Sequence, residues 1–155
     1  DAIQSLVLLA EVAAYYRKQG KNLYDGLQEL FEKYGYFAEK TTALTFDGVE
    51  GAQQIKNLMA KLRDEAPAEF AGVKVVCAED FATGKKSFAD GKEEKMNLPS
   101  SNVLKYILED GTWIAVRPSG TEPKIKFYIG TQGDSVENSK ANVAKFEKAI
   151  QAYVD

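Results

Sequence analysis

The sequence predicts an α+β fold, an antiparallel sheet with helices on one face, preceded by two further helices. Three observations lead to this prediction. Apolar residues at helical spacing dominate the N-terminal part and return at the C-terminal end. Between these segments, apolar and polar residues alternate in several short runs, as they do in strands. An Asp-Gly pair between two of these runs indicates a tight hairpin, and therefore antiparallel pairing.

Two helices are predicted at the N-terminal end of the chain. The first, residues 1–19, is apolar on nearly all sides and stops at Gly20, which is typical of a helix buried inside a larger structure. The second begins after Asn22, which forms a capping pair with Asp25. Its apolar residues recur on one face until Gly35 ends the run, so this helix is expected to be amphipathic.

A domain boundary is predicted near Lys40, where the pattern becomes mixed. We expect residues 1–40 to be the helical C-terminal end of a preceding domain, and residues 41–155 to form a C-terminal domain. The first residue is Asp1 and no charged leader follows it, so we expect a piece cut from a longer chain, without a signal peptide.

The second part of the chain interleaves strand-like alternation with helical spacing. One helix is capped by Asp47 and Glu50 and stopped by Pro67. Another, capped by Asp134 and Glu137, closes the chain with an apolar stripe that predicts core packing. Strands are expected at residues 42–46, 73–77, 103–108, 112–117 and 125–131, with a loop or weak edge strands at 81–101.

Composition narrows the classes of function. A formal net charge of −3 gives no general basic field, so nucleic acid is not an expected partner and anion binding would need a local cluster. The chain has no histidine, which removes imidazole metal sites and Ser-His or Cys-His pairs. Its aspartates are too scattered for a metal loop, and Cys77 lies in an apolar run where a thiol packs as a small hydrophobe. The longest apolar stretch falls short of the ~20 residues of a membrane span, so no membrane is expected.

Residues 117–126, RPSGTEPKIK, are the stretch of the chain whose residue types most specifically indicate a ligand-binding site. A phosphate dianion is held by a guanidinium, by hydroxyl donors and by converging backbone N–H groups. Arg117 supplies the first, and Ser119 and Thr121 supply the second. Gly120 lets the backbone approach closely, because it has no side chain.

Two lysines add positive charge to this stretch. Strand alternation points Lys126 away from the core and leaves it available to a ligand, and Lys124 lies nearby. Glu122 would repel a phosphate, so we expect its carboxylate to be turned outward. The alternative is a plain connection between two strands, in which Pro118 and Pro123 fix the backbone and the charges are only solvated. The residues alone leave both interpretations open.

The stretch from Arg117 to Ile129, RPSGTEPKIKFYI, resembles the phosphate-binding loop in the last domain of the α-D-phosphohexomutases. The N-terminal helices resemble the end of the third domain of that family, and residues 45–63 and 101–123 resemble its fourth. The resemblance implies a fold similar to TATA-binding protein. It also implies that Arg117, Ser119, Gly120 and Thr121 grip the phosphate of a phosphosugar, with Lys126 where many members carry an arginine.

The resemblance implies a cytoplasmic parent enzyme that interconverts glucose 1-phosphate and glucose 6-phosphate through a phosphoserine. The parent would use Mg²⁺, with glucose 1,6-bisphosphate as activator and intermediate. The phosphoserine, the Asp-rich metal loop and the sugar-recognition loop of the family are not in this sequence, so the fragment alone is expected to be inactive. Its partners would be the phosphosugar and the missing N-terminal domains.

Other functions remain open at this point. Within the family, the substrate could be a mannose or pentose phosphate, as in phosphomannomutase or phosphopentomutase. The chain could belong to a relative that kept the loop and lost its activity. Outside the family, it could be a non-catalytic, stand-alone binding module, although its acidic balance and its apolar first helix argue against this.

Overall fold

The structure, a computed structural model, describes residues 1–46, 48 and 50–154. Contacts between its residues divide it into two compact units, Asp1–Tyr36 and Phe37–Asp155. The assignment of residues 1–40 and 41–155 to two domains of a longer protein stays a prediction. In chain order the elements are α1 Ala2–Arg17, α2 Leu23–Tyr34, β1 Tyr36–Thr45, α3 Gly51–Asp64, β2 Glu69–Phe70, β3 Val73–Asp80, β4 Lys85–Phe88, β5 Glu93–Lys95, β6 Leu104–Leu108, β7 Trp113–Pro118, β8 Lys124–Gly133 and α4 Val136–Val154.

The first unit is a pair of helices. The capping box predicted for α2 is confirmed, because Asn22 Oδ1 accepts from the Asp25 N–H at 3.0 Å and Asp25 Oδ2 accepts from the Asn22 N–H at 2.8 Å. The Tyr16 ring of α1 packs against Gly26 of α2, where any larger residue would collide with it. The apolar side chains of α1 are exposed in this unit, Leu6 by 68% and Leu9 by 54%.

The second unit is an eight-stranded sheet in the order β1-β8-β7-β6-β3-β4-β5, with β2 beside β3. The strand pairs β2–β3, β3–β4, β3–β6, β4–β5, β6–β7 and β7–β8 are antiparallel. The hairpin predicted from the Asp-Gly pair is confirmed, since Tyr106 lies opposite Ile114 across β6 and β7. At its turn, Gly111 has a φ of +82°, a conformation that glycine adopts without strain. The predicted α+β class with an antiparallel sheet is confirmed.

Helices α3 and α4 pack on one face of this sheet. The alternating residues of β6, β7 and β8 that face the helices are almost fully buried, as the pattern predicts. The Tyr106 hydroxyl donates to the Leu62 carbonyl at 2.9 Å, which ties the sheet to α3 without leaving a buried polar group unpaired. The core cluster contains Ile55, Met59, Leu62, Phe70, Leu104, Tyr106, Leu108, Ile114, Val116, Ile125, Phe127, Ile129, Phe146 and Ile150.

Two predicted element boundaries were wrong. The first strand begins at Tyr36 rather than at residue 42, because it forms the edge of the sheet beside β8. Helix α4 is capped by Ser135 and not by Asp134, since Ser135 Oγ accepts from the Asn138 N–H at 3.0 Å. Serine and aspartate cap equally well, so local propensity does not choose between them.

Other expectations had mixed outcomes. The stretch 81–101 contains the short strands β4 and β5 rather than only a loop, and of these β5 lies at the edge of the sheet, whereas β4 pairs on both sides. The two-residue strand β2 was not predicted. In α3, Glu50 is the N-cap residue but makes no side-chain capping bond. Its predicted partner Asp47 lies outside the described residues.

Candidate functional site

The Arg117 to Lys126 stretch joins the end of β7 to the start of β8. The two strands stay in register to the last pair, Pro118 opposite Ile125. The Ser119 N–H donates to the Lys124 carbonyl at 2.8 Å and closes the loop. The loop tip, residues 119–123, therefore projects from a well-paired hairpin, which fixes where its donors lie.

Ser119, Gly120 and Thr121 line one wall of a cleft of about 490 Å³. This volume lies within the range of ~300–1,000 Å³ that is usual for small-molecule sites. Within the described part of the chain, the Gly120 N–H has no hydrogen-bond acceptor, and the Thr121 N–H has only a long contact of 3.4 Å to Ser119 Oγ. The loop thus presents two hydroxyls and two weakly engaged N–H groups, which are the donors that a phosphate requires.

Arg117 and Lys126 lie directly opposite each other on β7 and β8, on the sheet face away from the helices. Both are exposed, as predicted for Lys126. Among the described residues, neither has a carboxylate within ion-pair distance. Like charges at directly opposite positions destabilise a sheet, by an amount in the range of ~0.2–1 kcal/mol, so this pair is suited to an anion that bridges it.

The structure therefore brings the five predicted residues together in two groups at one end of the hairpin. Ser119, Gly120 and Thr121 face the cleft, whereas Arg117 and Lys126 are not among the residues that line it. The two groups are joined only through Pro118 and the strand ends. The assignment of all five to phosphate binding stays a prediction.

Gly120 is a glycine that the fold itself does not require. Its φ is not positive, and a Cβ at this position would have no neighbour within 4 Å. Glycines that serve a turn, such as Gly111, have a positive φ. The open space around Gly120 would allow a ligand to approach the backbone closely.

Glu122 is among the residues that line the cleft, so the expectation that its carboxylate turns away from the site is not confirmed. Its side chain is 57% exposed and its Oε2 lies 2.9 Å from Lys124 Nζ. The hydrogen bond and the charge of Lys124 hold the pKa of the Glu122 carboxyl below its ordinary value. The positive charge that Lys124 was expected to add is therefore largely neutralised, and Arg117 and Lys126 remain as the cations of the hairpin.

Two cleft residues were missed by the sequence analysis, Lys56 of α3 and Asn102 before β6. The helical pattern of α3 marks its core face but not which loop its flank will meet, so no local signal identifies Lys56. Asn102 Oδ1 accepts from Arg63 Nη2 at 3.0 Å, and Arg63 Nε donates to Asp80 Oδ2 at 3.0 Å. This network attaches the Asn102 wall of the cleft to α3 and β3.

The described residues contain no group of three His, Cys, Asp or Glu that could hold a metal ion. The part of the chain that the structure describes thus does not fit a Mg²⁺ site. Cys77 is a free thiol, 4% exposed, and burial raises its pKa, so it is not an activated nucleophile. In the described residues, no helix has the length and apolar character to cross a membrane.

Comparison with known proteins decides the family. The family model described as phosphoglucomutase/phosphomannomutase, C-terminal domain, matches residues 55–148, which include the loop and most of the residues that line the cleft. The chain belongs to this family. It is 39% identical over 147 residues to a phosphoglucomutase of Staphylococcus haemolyticus, which is 94% of this chain and 27% of the relative. It is 42% identical over 135 residues to a phosphoglucomutase of Staphylococcus epidermidis, which is 86% of this chain and 24% of the relative. The chain thus spans about a quarter of the length of these relatives.

Proposed function

We propose that this chain is the C-terminal part of a phosphoglucomutase, and that its β7–β8 loop binds the phosphate of a phosphosugar. The observation that carries the proposal is the Arg117–Lys126 pair. Two cations face each other across the hairpin, and the described residues supply no carboxylate partner for either. The hydroxyls and N–H groups of the adjacent loop tip supply the remaining donors.

The proposed reaction of the whole enzyme is the interconversion of glucose 1-phosphate and glucose 6-phosphate. A phosphoserine would transfer its phosphoryl group to the sugar, and the bisphosphate so formed, glucose 1,6-bisphosphate, would return the other one. Glucose is favoured over mannose and pentose because the relatives described above are named phosphoglucomutases.

In this reaction, the chain would hold the phosphate that is not being transferred. Each end of the bisphosphate must meet the serine in turn, so the site has to accept a phosphate at either end of the sugar. A loop that donates hydrogen bonds to phosphate oxygens, without making specific contacts to the sugar hydroxyls, meets this requirement. The contribution of the chain is therefore the positioning of the substrate.

The chemical steps would belong to the rest of the enzyme. The chain has no histidine to act as a general base, and its described residues do not form a metal site. We therefore place the Mg²⁺ and the phosphoserine in parts of the enzyme outside this chain, and we expect the chain alone to be inactive. The free thiol of Cys77 fits a reducing compartment, which supports a cytoplasmic location.

The first unit supports the same proposal. Leu6, Val7, Leu8 and Leu9 of α1 are each more than half exposed, although water disfavours such a contiguous apolar surface. We propose that the N-terminal domains of the same enzyme cover this surface. Such a cover would account for an exposed helix that is apolar on nearly all sides. It also agrees with the chain covering about a quarter of the length of its relatives.

The test is a titration of the isotope-labelled chain, in which NMR follows the backbone amides of the loop. We expect glucose 1-phosphate to shift the amides of Ser119, Gly120 and Thr121, and glucose alone to leave them unchanged. Arg117→Ala should abolish the response, whereas Arg17→Ala, on the other unit, should leave it intact. A loop that does not respond to glucose 1-phosphate at millimolar concentration, or that responds equally to glucose, contradicts the proposal.

A further inference from the structure

The cleft beside the loop has a second wall, which is formed by helix α3. Ala52, Ile55, Lys56 and Met59 line it, at the spacing of one helical face. Ile55 and Met59 are 6% and 3% exposed and anchor this face to the sheet. Lys56 is exposed beside them, at the flank where the helix faces the loop. The helix therefore holds one cation against the same space that Ser119 and Thr121 line.

The charges around the cleft leave Lys56 available. Among the described residues, Lys56 has no carboxylate within ion-pair distance. The acid that lines the cleft is Glu122, and Lys124 pairs with it at 2.9 Å. The other basic residue on this side of α3, Arg63, is engaged by Asp80 and Asn102. Lys56 is thus a cation of the cleft without an acid partner in the described chain.

The cleft is also mostly apolar between its polar walls. Ile55, Met59, Pro118 and Pro123 contribute to its lining, and they bring low-dielectric material close to Lys56. An attraction between an ammonium group and a phosphate is stronger next to such material than in bulk water. Apolar side chains also suit the C–H faces of a sugar ring, so the cleft matches a ligand with one charged end and one less polar body.

We propose that Lys56 is a further binding residue of this site, and that its ammonium group contacts the phosphate of the phosphosugar from the α3 side of the cleft. This inference rests on the proposed function of the loop and extends it. In the cleft, the loop supplies the hydroxyls of Ser119 and Thr121 and the N–H of Gly120, and the helix supplies the charge opposite them. Arg117 and Lys126 lie on the other face of the sheet, so their side chains would reach the same phosphate around the end of the hairpin. The phosphate is then held between two elements that are distant in the sequence.

The test compares Lys56→Gln with Lys61→Gln in the full 155-residue chain. Lys61 lies on the same helix and is exposed, but it does not line the cleft. Inorganic phosphate and glucose 1-phosphate are titrated by NMR at two salt concentrations. We expect Lys56→Gln to weaken both by about 5-fold, the size of one partly exposed charge contact, and to reduce the salt dependence of binding. Lys61→Gln should bind as the wild type does, and Lys56→Arg should restore most of the affinity.

The outcomes separate this inference from the proposal on which it rests. If Lys56→Gln binds as tightly as the wild type while Arg117→Ala abolishes binding, the loop is a phosphate site and Lys56 has no part in it. If Lys61→Gln weakens binding as much as Lys56→Gln, the effect is one of net charge, and the inference is also wrong. If the wild-type chain binds neither ligand, the proposed function itself fails.

Discussion

Replacement of Gly130 by alanine tests the packing that holds β7 and β8 together. Trp113 lies directly opposite Gly130, and a Cβ there would come within 2.3 Å of the indole Nε1 and Cε2 atoms. Carbon atoms pack best at about 3.5–4.0 Å, so the ring would have to retreat by about 1.2 Å or more. Lys105 lies on the neighbouring strand β6, and its Nζ is 5.6 Å from the centroid of the Trp113 ring, so this contact would change too.

The expected cost follows from two opposing effects. Overpacking of this kind usually destabilises a protein by about 1–3 kcal/mol, and a middle value of about 2 kcal/mol applies because Trp113 is only partly buried but must move by more than about 1 Å. Alanine also restricts the conformations of the unfolded chain more than glycine does, which stabilises the folded protein by about 0.4–1 kcal/mol. We therefore expect the Gly130→Ala variant to be less stable by about 1 kcal/mol, measured as the free energy of unfolding in urea. Trp113 is the only tryptophan, so its fluorescence reports the unfolding of the second unit.

A double-mutant cycle identifies the cause. In a Trp113→Ala background, where the ring is absent, Gly130→Ala should be neutral or slightly stabilising, as followed by circular dichroism. If Gly130→Ala destabilises the protein equally with and without the ring, the collision is not the reason. If the single variant is as stable as the wild type, the ring has room to move and the reasoning is wrong.

Two further predictions concern the loop and the network around the cleft. Gly120→Ala should leave the free energy of unfolding within about 0.5 kcal/mol of the wild type, since its Cβ meets nothing, but should weaken phosphate binding in the same NMR titration. A large loss of stability would show that the turn requires the glycine. Burial opposes ionisation of Asp80, but hydrogen bonds from Thr83, Arg63 and the Ala82 N–H outweigh it and hold its pKa below the ordinary value. The stability it contributes is therefore present above the unfolded pKa of about 3.9 and lost as the pH falls through that value towards the folded pKa. In urea melts from pH 6 to pH 2, Asp80→Asn should flatten this loss, and an unchanged pH profile would contradict the prediction.

Local patterns in the sequence predicted the elements that depend on near neighbours. The capping box of Asn22 and Asp25 needs only residues three apart, and the alternation of Ile125, Phe127 and Ile129 needs only the pleat of one strand. The Asp-Gly turn likewise specified the β6–β7 hairpin. The predicted cap of α4 and the predicted start of β1 were wrong because helix packing and strand pairing, not local propensity, set the limits of these elements.

The candidate site shows the same division. Residue types alone indicate which residues of the loop could hold a phosphate, because donors, charge and a free backbone do not depend on distant contacts. The folded chain is needed to show that Arg117 and Lys126 face each other across the hairpin, and that Lys56 shares a cleft with Ser119 and Thr121. Strand register and the docking of α3 arise from contacts between distant parts of the chain, and no short stretch of sequence encodes them.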